Sequence, residues 1–300
     1  DQIPSSLTKQ YPLFDALQYY GNAAQSSRQL IESLNDQKNV AAEAKTPIKM
    51  IQGSLIGRNF EDLLYQYGVA ISLRANSEGV KSKLLPKTNA KAGDAYMAMT
   101  KNYNALRIVT HAYLVLKTFG LDIPPEHRPD AENIIAGYID FLRLAGKIDL
   151  IPTYAAQLSP IRAQYTLARV LPDIRDVKEQ KQLMGLMLQA NIDVGGVLIE
   201  HYEFVLSESS LGEHDTPTIK RYKFLEPTPP DQSPWPGQRI KAGFLPDPHE
   251  ISMDEDMIVR SGEWYMHLPR AWSAAFVPLT IILKRFLRKF RTLTSSVNCC

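Results

Sequence analysis

Histidines, cysteines, glycine loops and paired carboxylates are the residues through which a chain binds metal, activates a nucleophile or cradles phosphate, and spacing decides whether they do. Six histidines are present: His111, His127, His201, His214, His249 and His267. No two stand four residues apart and no HExxH occurs, so no helix offers a histidine pair to a metal. His201 falls among Val194, Val197, Leu198 and Val205 and reads as a packed, hydrogen-bonded core residue. The glycines of IQGSLIGRN (51–59) lack both the GxxxxGK[ST] spacing and a preceding strand, and Gly195-Gly196 opens a helix with no strand before it. Both pairs are expected where helices approach closely. Asp254 and Asp256 in SMDEDM (252–257) fit a helix N-terminus, where acidic groups complement the dipole. No serine elbow appears, and the two cysteines, Cys299 and Cys300, are adjacent in a tail and cannot staple a fold. The expectation is a chain that is not an enzyme, with no cofactor and no metal site.

Packing residues dominate instead, in helical register. Ile135, Tyr138, Ile139 and Leu142 recur at i, i+3, i+4 and i+7, one face of a helix that Gly146 closes, with Pro152 restarting the chain. Ser159-Pro160 has the form of an N-cap followed by proline at the first helical position. Pro172 ends that helix, and Asp176 with Glu179 makes a capping-box-like start for a stripe of Leu183, Leu186, Met187 and Ala190. Asp193 caps the helix that carries His201. Upstream, 94–120 reads as one long helix ending at Gly120, and 47–67 as another, interrupted near Gly57. Ile151, Tyr154 and Leu158 are read as surfaces for neighbouring helices.

Period-2 alternation is scarce, so the predicted fold class is all-α. Short connections between 120 and 210 make successive helices antiparallel neighbours. One such helix buries too few large side chains to offset the entropy of ordering itself, so pairs must stack on pairs. The expected architecture is an irregular α-helical solenoid of stacked antiparallel helices without a strict repeat. Its divisions are a polar lead-in (1–45), the solenoid (46–206), a proline-rich linker or insertion, partly disordered (207–257), C-terminal tail helices (258–291) and a flexible tail (292–300).

Lys+Arg at 34 against Asp+Glu at 32 leaves a net charge of +2, without the basic excess of a nucleic-acid binder. At 44% hydrophobic and 22% charged, the chain has the composition of an ordinary globular protein. It opens on Asp1 rather than Met and shows no signal peptide, so it is expected to be a soluble intracellular piece of something longer.

Two C-terminal segments carry more than packing. GEWYMHLPRAWSAAF (262–276) gathers Trp264, Tyr265, Trp272 and Phe276, which suits a core and also has the composition of a contact hot spot. In VPLTIILKRFLRKFR (277–291), Leu279, Ile282, Leu283, Phe286 and Phe290 form a stripe away from Lys284, Arg285, Arg288, Lys289 and Arg291. That pattern reads first as a solenoid helix with a basic outer face. A helix docking on a partner protein, or one lying on a membrane, shares it.

TPIKMIQGSLIGRNFEDLLYQY (46–67), GYIDFLRLAGKIDLIPTYAAQL (137–158), RVLPDIRDVKEQKQLMGLMLQANIDVGGVLIEH (169–201) and EWYMHLPRAWSAAFVPLTIILKRFL (263–287) together resemble the nuclear pore protein 84/107 family, in a fungal form. The resemblance implies a coat-protein-like α-solenoid in the nucleus, at the nuclear envelope. There it would be a scaffold subunit of the outer ring (Y complex) of the nuclear pore complex, supporting protein and mRNA transport. It also implies partners: nucleoporin 133 at the tail and nucleoporin 145C/96 at the trunk of the full-length protein. On this reading Trp264, Tyr265, Leu268, Trp272, Phe276 and Phe286 are the candidate partner contacts. No specific nucleic acid is expected, and membrane contact is at most peripheral. The alternative is a helical adaptor that associates with membrane through its basic C-terminal helix.

Overall fold

A computed structural model of the chain describes residues 29, 31–34, 36–77, 81–208, 253–268, 273 and 275–284. Among these the regular structure is helical and no strand occurs, so the fold is all-α. The chain divides into two compact units, Asp1–Leu158 and Ser159–Cys300.

In the first unit the helices are α1 (Ala41–Ala44), α2 (Pro47–Ile56), α3 (Phe60–Ala75), α4 (Asp94–Met99), α5 (Tyr103–Thr118), α6 (Arg128–Leu144) and α7 (Ile151–Ala155). The stripe Ile135, Tyr138, Ile139 and Leu142 is buried along α6 as its spacing predicts. Gly146 takes φ +67 just past the helix, and the Lys147 amide returns to the Leu142 carbonyl at 2.9 Å, a glycine-closed helix end. Consecutive helices α5 and α6 are antiparallel: Tyr103 at the start of α5 meets Phe141 near the end of α6, ring centroids 5.4 Å apart. By contrast α3 and α6 run the same way. Tyr65 stacks on His127 at 4.3 Å, Gly68 abuts Asp130, and Ile71 abuts Gly137. Antiparallel neighbours with a same-direction contact between helices farther apart in the chain are what stacking pair on pair produces.

Two expectations change. The helix over 94–120 is two helices, because Asn102 caps α5: its side chain accepts the Ala105 amide hydrogen at 3.0 Å, while the Thr100 hydroxyl donates to the Met97 carbonyl at 2.7 Å. Short polar side chains that bond local backbone compete with helix continuation. The segment 47–67 is interrupted between Ile56 and Phe60, as expected near Gly57, but its second helix runs past 67 to Ala75. The left-handed residue at that break is Arg58 (φ 53), not Gly57 (φ −75).

The second unit contains α8 (Pro160–Val170), α9 (Val177–Gln189), α10 (Val194–Glu208) and α11 (Met253–Met266), and residues 275–284 are also helical. The caps fall where local chemistry places them. Ser159-Pro160 starts α8, Asp176 accepts the Glu179 amide at 3.2 Å, and Asp193 accepts the Gly196 amide at 3.1 Å. On α9 the buried stripe is Leu183, Met184 and Met187, with Leu186 and Ala190 half-buried. Here the next-but-one helices α8 and α10 run together: Gln164 of α8 bonds Asp193 at 3.0 Å, and Arg169 bonds Glu200 of α10 at 3.0 Å. Gly196 lies under Gln164, the close approach expected of a helix-opening glycine. Most of the proline-rich stretch (209–252) lies outside the described residues, as do Trp272, Phe286, the cations beyond Lys284, and both cysteines.

Candidate interaction surface

α11 begins with three acidic residues in its first turn, Asp254, Glu255 and Asp256, which favour a helix N-terminus electrostatically. Asp256 also accepts the Arg260 Nε hydrogen at 2.8 Å, one turn on. Ile258, Ser261, Trp264 and Tyr265 repeat on one face and are all buried. The helical residues 275–284 pack against it. Gly262 permits this packing, since a Cβ there would stand 3.1 Å from Ile282 Cδ1 and 3.2 Å from Leu279 Cδ2.

Trp264 is the largest fully buried side chain of the described residues. It lies edge-on to His201, ring centroids 6.4 Å apart. His201 Nδ1 is 2.8 Å from the Ala168 carbonyl oxygen. A carbonyl only accepts, so Nδ1 carries a proton. Burial pushes the His201 pKa down to about 4, against a smaller upward effect of that hydrogen bond. The imidazole therefore ties α8 to α10 and supports the indole, which is the core role its sequence neighbours suggest. Burial, helped by Tyr202 and Glu203, raises the Tyr265 phenol to about 12. Beyond α11, His267 Nε2 donates to the Gln180 side-chain oxygen at 2.9 Å. The Gln180 amide nitrogen donates to the Ile174 carbonyl at 3.2 Å, so one buried glutamine joins α9 to the turn after α11.

The candidate contact residues thus divide. Trp264 and Tyr265 face the interior of the second unit, Leu268 is half-buried, and Phe276 is 71% exposed. Trp272 and Phe286 lie outside the described residues. Exposure also reveals apolar residues that were not among the candidate contacts. Val259 and Met266 lie one heptad apart on α11, and Leu283 lies one heptad beyond the candidate Phe276 on the following helix, all turned to solvent. A seven-residue spacing of apolar side chains opposite a buried face is the signal that would have found them. Among the described residues no three metal-ligating side chains cluster, and no helix is long and apolar enough to cross a membrane. What the arrangement offers is apolar surface on a rigid helical support.

The family model for "Nuclear pore protein 84 / 107" matches residues 2–294. Nucleoporin NUP84 of Chaetomium thermophilum is 28% identical over 303 residues, covering 94% of this chain and 31% of that protein. Nucleoporin nup107 of Schizosaccharomyces pombe is 29% identical over 126 residues, covering 42% of this chain and 15% of that protein. The chain therefore spans less than a third of the length of these relatives. With a stacked all-helical fold and a match over nearly its whole length, the chain belongs to the nuclear pore protein 84/107 family and is a nucleoporin of the nuclear envelope.

Proposed function

We propose that this protein is a structural scaffold subunit of the outer ring (Y complex) of the nuclear pore, without a catalytic role, supporting transport of protein and mRNA through helix-face contacts with neighbouring nucleoporins. The observation that carries the reading is the last helix pair of the second unit. A core of Ile258, Trp264 and Tyr265 holds Met266, Phe276 and Leu283 out in solvent. Exposed apolar residues on a rigid support are the usual anchors of a protein interface. By order along the family, this end is the tail that meets nucleoporin 133, and nucleoporin 145C/96 belongs to the trunk of the full-length protein. Leu268, Trp272 and Phe286 complete the proposed contact, and Trp264 and Tyr265 act from beneath it. In the same reading, 258–291 are tail helices joined through 207–257 to the solenoid of 46–206.

The test is calorimetric titration of the 300-residue chain with the C-terminal half of the corresponding nucleoporin 133. The triple variant Met266→Glu, Phe276→Glu and Leu283→Glu keeps its fold, because each side chain is already exposed, and loses binding. Undiminished affinity in that variant overturns the contact. Flotation with anionic vesicles that depends on 277–300, without nucleoporin binding, favours the membrane adaptor instead.

A further inference from the structure

The connection between α3 and α4 carries Lys81, Lys83, Lys87 and Lys91, with no acidic residue from Lys81 to Gly93. Glu78 and Asp94 bound it in the sequence. No other stretch of the described residues gathers as many cations without a carboxylate among them.

This connection is held in one shape. Asn76, just past α3, donates from its side-chain nitrogen to the Leu85 carbonyl at 3.0 Å, and its side-chain oxygen accepts the Ser82 amide hydrogen at 3.1 Å. The Ser72 hydroxyl donates to the Pro86 carbonyl, and the Ser82 hydroxyl oxygen accepts the Leu84 and Leu85 amides at 3.2 and 3.0 Å. Leu84 and Leu85 are buried. From this anchor the chain returns to α4, whose Tyr96 lines the same cavity as Asp62 in the first turn of α3. It therefore runs back along α3, from Asn76 to the level of Asp62, about 21 Å.

Exposure fixes which way the lysines point. Ser82, Thr88, Ala90 and Ala92 are half-buried, whereas Lys81, Lys83, Lys87 and Lys91 are exposed. From Lys87 to Lys91 exposure alternates residue by residue, as in extended chain lying on a support. The four cations thus share the solvent side of a segment whose apolar side chains are turned inward.

We infer that this lysine row is a contact site for an anionic membrane surface, taking the headgroups of acidic lipids. Lysine is a compact, strongly hydrated charge on a flexible stem, suited to diffuse attraction, and the row has no arginine to fork onto a single carboxylate or phosphate. Between Lys81 and Gly93 there is no aromatic side chain on which bases could stack. With Leu84 and Leu85 buried, the row also lacks the apolar anchor that a protein partner would use. A nucleoporin of the nuclear envelope works beside a membrane. The row lies in the first unit and involves neither the tail contact proposed above nor residues 277–300.

The probe is vesicles of phosphatidylcholine with about 30% phosphatidylserine, compared with pure phosphatidylcholine, in co-sedimentation with the 300-residue chain. The mixed vesicles are expected to bind and the neutral ones not, with affinity falling steeply as salt rises. Each lysine near an anionic surface is worth about fivefold in partitioning. Lys81→Gln, Lys83→Gln, Lys87→Gln and Lys91→Gln together should therefore weaken binding at least about a hundredfold. A control removes equal charge elsewhere: Lys38→Gln, Lys45→Gln, Lys101→Gln and Lys147→Gln, all at exposed positions, should weaken it no more than about threefold. Both variants keep the wild-type melting temperature, which separates lost binding from lost fold. No binding to the mixed vesicles, wild-type binding by the row variant, or equal losses in the two variants overturns the proposal. Row-dependent binding to a short DNA duplex or to a glutamate-rich peptide, without vesicle binding, would assign the row to nucleic acid or to an acidic protein and overturns it as well.

Discussion

Gly68 of α3 and the carbonyl oxygen of Asp130 in the first turn of α6 approach so closely that a Cβ at position 68 would overlap that oxygen. Both groups are backbone, so neither can swing aside as a side chain would. This contact sets the separation of the two helices that pack most extensively in the first unit.

Gly68→Ala therefore forces α3 and α6 apart. We expect a loss of about 3 kcal/mol or more, the upper range for overpacking, read as a lower urea midpoint. Gly137→Ala is the matched control. There the added methyl meets only the side chain of Ile71, Cγ2 at 3.0 Å, which needs to yield by a few tenths of an ångström rather than move a backbone, and alanine's helix preference of about 1 kcal/mol offsets much of the crowding. Equal midpoints for the two variants would show that the backbone contact does not govern the spacing.

Arg58 gives a prediction of opposite sign. It holds φ 53 at the break between α2 and α3, a conformation that costs a side-chain-bearing residue about 1–2 kcal/mol. Glycine removes that cost but returns about 0.4–1 kcal/mol through a freer unfolded chain. Arg58→Gly should raise the melting temperature slightly. Asn191→Gly, at φ 55 after α9, should gain less, because asparagine tolerates the left-handed region. A lower melting temperature for Arg58→Gly would mean that the arginine side chain itself stabilises the turn.

These positions show what was legible in the sequence. The stripe from Ile135 to Leu142, the caps at Asp176 and Asp193 and the glycine ends at 120 and 146 depend on chemistry within a turn or two, so spacing revealed them. The break at Asn102 was hidden because apolar residues continue through Ala98 and Met99 in helical register, and capping by asparagine depends on backbone geometry. Gly68 looked like an ordinary helix glycine, because its constraint comes from Asp130, far along the chain. In 262–276 composition gathered the aromatic residues but could not rank them. Only packing against His201 separates the buried Trp264 from the exposed Phe276.

His201 predicts a pH dependence. Its pKa is about 4 in the folded protein against 6.5 in the unfolded chain, so between these values the unfolded state binds more protons. Stability is then fully present above about pH 6.5 and is lost as pH falls toward 4, on the order of 3 kcal/mol in all. Asparagine can supply a donor near the Nδ1 position without titrating. His201→Asn should therefore show a smaller drop in urea midpoint between pH 7 and pH 5 than the wild type, whatever its absolute stability. Parallel pH profiles would rule out the buried imidazole as the source.

The last prediction separates support from contact at the C-terminal helix pair. Trp264 is 1% exposed and Phe276 71% exposed, although both belong to one aromatic cluster in the sequence. Removing the indole leaves a cavity beside His201, so Trp264→Ala should cost about 3–5 kcal/mol and shift the melting transition strongly. Phe276→Ser removes a side chain that already faces solvent, so stability should stay within about 0.5 kcal/mol. Binding should respond differently: Phe276→Ser weakens the nucleoporin partner at unchanged melting temperature, while Trp264→Ala weakens it only in step with loss of folded protein. Paired melts and isotherms on the same samples read both quantities. If Trp264→Ala lost affinity while fully folded and Phe276→Ser kept it, the partner would be reaching the indole directly, and the contact would lie on the inner face of α11.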